Sequence, residues 1–165
     1  MTFVNQHRVN VGPGVEMLYI DANNLYGQAL SMRLPYKDFA WVEDTLEQQS
    51  ILQTLPQMDV FNSDLGYVLE CDIVIPSSFH DLLDDLPLAP ENRIVQDPTS
   101  YMMELWNLIE EEKPFKAGRK LILSHLPKEH YVVHFALLKF FIEMGAIVRK
   151  VHRVVQFRQA AFFEP

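Results

Sequence analysis

At 165 residues, with 48% hydrophobic and 12% aromatic content, the chain is long enough to bury one sizeable core and too apolar to stay disordered. No run approaches the ~18 consecutive apolar residues of a membrane span, and the N-terminus lacks the basic-then-apolar plan of a signal peptide, so an intracellular location is expected, whether nuclear, mitochondrial or viral. The single cysteine, Cys71, excludes an intrachain disulfide and a cysteine-based zinc site, and a net charge of −8 argues against a uniformly basic surface.

In chain order, the first predicted element is a buried strand over residues 15–20, Val-Glu-Met-Leu-Tyr-Ile. It delivers Asp21 to its C-terminal edge. Ala22 is small enough to let a ligand approach the backbone, and Asn23 or Asn24 can cap a helix suggested by Leu25, Gln28, Ala29 and Met32. A capped helix start offers free N–H groups suited to phosphate oxygens. On spacing alone, a plain turn or cap role for Asp21 and a core role for Tyr26 compete with any ligand role.

Residues 33–39, with Pro35, are predicted to be a loop, followed by a helix from Val42-Glu43-Asp44-Thr45 to Leu55, broken at Pro56. Residues 66–75 form the next expected strand, with Tyr67, Leu69, Cys71 and Ile73 on one face and Val68, Glu70, Asp72 and Val74 on the other. The acidic, proline-bearing stretch to Pro98 is expected to be a long loop with short elements. Residues 120–123 and 130–134 suggest a hairpin closed through Pro127-Lys128-Glu129. A helix over residues 136–144 should turn Leu137, Leu138, Phe140, Phe141 and Met144 to the core and stop at Gly145. A long strand over 146–157 should then alternate, with Val148, Lys150, His152, Val154 and Gln156 opposite Ile147, Arg149, Val151, Arg153, Val155 and Phe157.

The charge is divided along the chain: residues 1–112 carry 4 Lys/Arg against 19 Asp/Glu, and residues 113–165 carry 10 against 3. Among the latter, Lys120, Lys139, Arg149, Lys150, Arg153 and Arg158 can track a phosphate backbone, or can equally be solvated partners of the acidic half. His130 and His134 are four apart in a β-prone stretch, which would hold them about 13 Å apart at ~3.3 Å per residue, too far to share an ion. No phosphate loop, dinucleotide fingerprint or nucleophile elbow occurs.

The nonamer Tyr19-Ile20-Asp21-Ala22-Asn23-Asn24-Leu25-Tyr26-Gly27 closely resembles the first palm-domain carboxylate motif of family B DNA polymerases, D-x-x-S-L-Y-P, in the form carried by the protein-primed branch of Polinton/Maverick-type transposons and related viruses. Gly66-Tyr67-Val68-Leu69-Glu70-Cys71-Asp72, Pro87-Leu88-Ala89-Pro90-Glu91, Tyr131-Val132-Val133-His134-Phe135 and Val151-His152-Arg153-Val154-Val155-Gln156-Phe157 support the match in the same order. Gly27 and Asn24 stand where the common form has proline and serine.

The resemblance implies an α/β (α+β) palm-type antiparallel sheet backed by helices over residues 1–165, with an inserted loop-rich region at about 42–115 that in the family contacts the priming terminal protein and the template duplex. It also implies template-directed nucleotidyl transfer on a DNA primer–template from deoxynucleoside triphosphates, with two Mg²⁺ ions. Asp21 would hold both ions and the Ala22 carbonyl one of them; Asn24 and Leu25 would lie under the triphosphate, and Tyr26 would exclude a 2′-hydroxyl. Two-metal chemistry needs carboxylates from two separated segments. The later aspartate doublet and the lysine-bearing fingers helix are not found in the 165 residues, and Asp84-Asp85 lies in the wrong context. The chain alone is therefore expected not to polymerise DNA. The competing expectation is a non-catalytic DNA- or protein-binding relic of a mobile element.

Overall fold

The computed structural model describes residues 23–95, 98–109 and 118–162. They form a mixed α+β fold around a four-stranded antiparallel sheet. Its strands are β1 (Leu34–Val42), β2 (Leu65–Val74), β5 (Lys128–His134) and β6 (Ile147–Ala160), in the order β1-β6-β2-β5. A two-stranded sheet joins β3 (Glu91–Val95) to β4 (Gly118–Ile122). The helices are α1 (Leu25–Ser31), α2 (Thr45–Thr54), α3 (Ser100–Ile109) and α4 (Phe135–Glu143). Among the described residues no helix is long and apolar enough to cross a membrane.

One face of the large sheet is closed. Leu69, Cys71 and Ile73 of β2, Val133 of β5 and Val154 of β6 are buried against Ile51 of α2, Leu55 just after it, and Leu138 and Phe141 of α4. Each fully buried Leu, Ile or Phe side chain contributes about 1.5–3 kcal/mol relative to leaving it in water. Local chemistry prepares both covering helices. Asp44 caps α2 through Leu46 N–H at 2.9 Å, while the buried Gln48 amide donates to Val42 C=O at 2.7 Å. Helix α4 ends where Gly145 takes φ +95°, and the N–H of Ala146 reaches back to Phe141 C=O at 2.9 Å. The Phe79 ring lies 2.6 Å from where a Cβ of Gly145 would stand, a second reason for glycine there.

The small sheet is tied to β5 by an ion pair. Lys128, whose side chain is fully buried, places Nζ 3.0 Å from Glu91 Oε2 and 3.1 Å from Ser124 Oγ.

Four sequence expectations are corrected. Residues 34–42 are a strand, not a loop: Pro35 is accommodated because β1 is an edge strand, its ladder interrupted between Pro35 and Ala40 where Asp38 takes φ 57°. The 120–134 hairpin does not form. Residues 118–122 pair with β3 and residues 128–134 with β2, because β5 has a neighbour that buries Val133 and residues 118–122 do not reach it. On α4 it is Phe135, Leu138 and Phe141 that are buried, while Leu137 and Phe140 are half exposed, since the helix lies on the sheet by one stripe only. Simple alternation also fails in β6. Two register shifts against β2, at Glu70/Cys71 and Asp72/Ile73, each add a residue to β6, so the positions facing the core are Val148, Val151 and Val154.

Candidate functional site

Two separate places hold residues singled out by the sequence. The first is the start of α1. Asn24 is its N-cap, in left-handed conformation at φ 55°, and its Oδ1 accepts from Gly27 N–H at 3.2 Å. A Cβ on residue 27 would collide with the Asn24 amide, and a proline there would have no N–H to donate. The Asn24/Gly27 pair is thus mutually dependent, which gives a physical reason for both departures from the serine-and-proline form. Leu25 and Tyr26 follow on the first turn, and Tyr26 is 89% exposed rather than a core aromatic. Asp21 and Ala22 lie outside the described residues.

The second place is the other face of the large sheet, which no described helix covers. Its rows run across the strands. Phe39 of β1 meets Phe157 of β6 at 5.8 Å between ring centres, and Phe157 meets His134 of β5 at the same distance, passing over Gly66, where a Cβ would strike the Phe157 ring. Next, Trp41, Val155, Val68 and Val132 line a shallow hollow. Beyond it lies a polar row that sequence reasoning did not assemble.

In that row Glu70 uses both oxygens: Oε2 accepts from Arg153 Nε at 2.5 Å and Oε1 from His130 Nδ1 at 2.7 Å. Asp72 Oδ1 accepts from the backbone N–H of His130 at 2.9 Å and pairs with His152 Nε2 at 2.7 Å. The two imidazoles stack at 3.9 Å, and the Arg153 guanidinium lies 5.4 Å from the centre of the Trp41 ring. Hydrogen bonds from His130 and then Arg153 hold the Glu70 carboxyl below its ordinary value; the His130 N–H and the His152 ring do the same for Asp72.

Bulges make this convergence possible. Regular alternation would send His152 and Arg153 to opposite faces, but the extra residue at Glu70/Cys71 lets both reach the acids of β2. His130 sits at a matching irregularity in β5, at φ 52°, between the pairs Cys71–Tyr131 and Ile73–Lys128. The one signal in the sequence was the spacing of Val148, Val151 and Val154 by three, which suits neither a flat strand nor a helix.

The six basic residues are not brought to one surface. Lys139 turns inward to Met58 C=O at 2.8 Å and toward Glu143, Arg158 pairs with Asp38 at 3.3 Å, and Arg153 belongs to the polar row. Arg149 and Lys150 border α2 beside Gln48 and Leu52, and Lys120 lies on β4 in the small sheet. Cys71, fully buried, has its thiol pushed up to about 12, first by burial and then by the charges of Asp72 and Glu70. It is no nucleophile. Among the described residues no group of three or more His, Cys, Asp or Glu could hold a metal ion.

No family model, no curated protein and no solved structure matches the chain.

Proposed function

We propose that this chain is the palm region of a protein-primed family B DNA polymerase, contributing one carboxylate to template-directed nucleotidyl transfer. The observation that carries the reading is the start of α1. An asparagine-capped helix opens directly after the acid-bearing segment, and an exposed tyrosine stands on its first turn. Such a layout suits a nucleotide whose phosphates meet backbone N–H groups and whose sugar meets an aromatic ring. Tyr26 is free of core packing, as a residue that meets a sugar must be.

In this reading Asp21 and the Ala22 carbonyl hold Mg²⁺, which supplies charge stabilisation to the transferring phosphoryl group. Asn24 and Leu25 support the triphosphate, and Tyr26 discriminates against a 2′-hydroxyl. The partners are a DNA primer–template, deoxynucleoside triphosphates and a terminal priming protein.

The test is the coding sequence beyond the codon for Pro165. The reading expects an in-frame lysine-bearing helix and a later aspartate doublet; in that longer protein Asp21→Asn abolishes primer extension, and Tyr26→Val raises ribonucleotide incorporation while leaving deoxynucleotide incorporation measurable. A reading frame that closes without a second carboxylate segment overturns the catalytic assignment.

A further inference from the structure

The uncovered face of the large sheet has a counterpart elsewhere in the chain. No residue of α3 from Ser100 to Leu108 is buried, and Tyr101, Leu105 and Leu108, spaced i, i+4 and i+7 along one side, are 66%, 38% and 77% exposed. We propose that α3 of one copy lies on the open sheet face of a second copy, and that two such contacts, related by a two-fold axis, make the chain a dimer. The inference does not depend on Asp21 and stands or falls apart from the polymerase reading.

Anchors at i, i+4 and i+7 are how an amphipathic helix meets an apolar surface. Tyr101 to Leu108 covers about 10 Å of helix axis, and the hollow lined by Trp41, Val155, Val68 and Val132 crosses four strands, about 14 Å. The hollow holds about 90 Å³, room for one aliphatic side chain such as the middle anchor, Leu105. Trp41 and Val132 stand at its two ends, 59% and 63% exposed. Glu104, the one charged residue of α3, lies outside the stripe, so docking leaves its carboxylate in water. The polar row forms the rim of the contact. Glu70 and Asp72 are already met by Arg153, His130 and His152, and they need no partner from the helix.

Area decides the occupant. The three anchors and Met102 on the helix, with Trp41, Phe39 and Val132 on the sheet, expose on the order of 100 Å² each. One contact therefore buries roughly 700 Å², short of the ~1,200–2,000 Å² of a stable interface, whereas a two-fold pair buries roughly 1,400 Å² and falls within it. A second copy supplies both halves of the contact in equal number, with no other partner required. A lipid surface is poorly served, because α3 carries no lysine or arginine to border its apolar side.

The test is sedimentation equilibrium of the 165-residue chain from about 1 to 300 μM, since interfaces of this size bind at micromolar concentrations or below. The expected result is a mass that rises with concentration from 19.2 kDa toward twice that value. Leu108→Glu on the helix and Val132→Glu on the sheet, both at exposed positions and checked for intact fold by circular dichroism, should each raise the dimer dissociation constant at least about tenfold. In a Trp106→Phe background, which leaves Trp41 as the only tryptophan, dimer formation should protect Trp41 from acrylamide quenching, and adding Leu108→Glu should remove that protection. A dimer that survives Val132→Glu pairs helix with helix, and one that survives Leu108→Glu pairs sheet with sheet; either overturns the proposal. A chain that stays at 19.2 kDa throughout overturns it as well, in favour of α3 closing on its own sheet if Trp41 is protected.

Discussion

The two faces of the large sheet are built from the same strands by different rules. On the closed face Leu69, Cys71, Ile73 and Val154 are sealed under α2 and α4, and any apolar residue of suitable volume would serve. On the open face the contacts are specific: one carboxylate oxygen to one guanidinium nitrogen, one imidazole over another, one ring beside one arginine. The closed face therefore carries most of the stability, while the open face carries geometry that stability alone does not require.

The largest effects should come from the closed face. Phe135→Ala and Leu138→Ala, both at fully buried positions, should each cost about 3–5 kcal/mol in urea unfolding, through lost transfer energy and the cavity left behind. Breaking the buried Lys128–Glu91 pair by Glu91→Gln should cost about 3 kcal/mol, since it strands a buried ammonium. A loss below about 0.5 kcal/mol would mean that water reaches Lys128 and that the small sheet is not anchored there.

At the start of α1 the expected effect is smaller. Asn24→Ala removes the acceptor for Gly27 N–H and should cost about 1 kcal/mol of helix stability, seen as faster hydrogen exchange at Gly27 and Gln28. Gly27→Pro should produce the same fraying even with Asn24 intact.

The polar row gives a pH signature with a definite sign. Folding lowers the values of Glu70 and Asp72, so their stabilising contribution is complete above the ordinary carboxylate values of about 4 and fades as pH falls through the lower folded values. The stability gap between the native chain and the Glu70→Gln, Asp72→Asn double variant should shrink as pH falls below about 4. Burial lowers the His134 imidazole, so His134→Phe should remove a separate loss that begins as pH falls below about 6.5. A gap that widened as pH fell below about 4 would break the comparison. Least of all, Trp41→Ala should change stability by less than about 0.5 kcal/mol, because its ring contributes to the open face and not to the core.

By itself the sequence determined the mixed class, a strand read at residues 66–75 with its two faces and found at 65–74, the helix after Asp44, the glycine stop at Gly145 and a helix start capped by Asn23 or Asn24, of which the structure uses Asn24. These rest on local rules: period-two alternation, a capping side chain, a residue that tolerates positive φ. Tertiary structure alone decided the rest. Pairing assigned residues 34–42 to an edge, where a proline costs no ladder bond, and sent residues 118–122 and 128–134 to different sheets. The register between β2 and β6 placed two extra residues in one strand, and that is what brought His152 and Arg153 together over Glu70 and Asp72. A bulge is a property of two strands at once, so the alternation read along either one could not contain it.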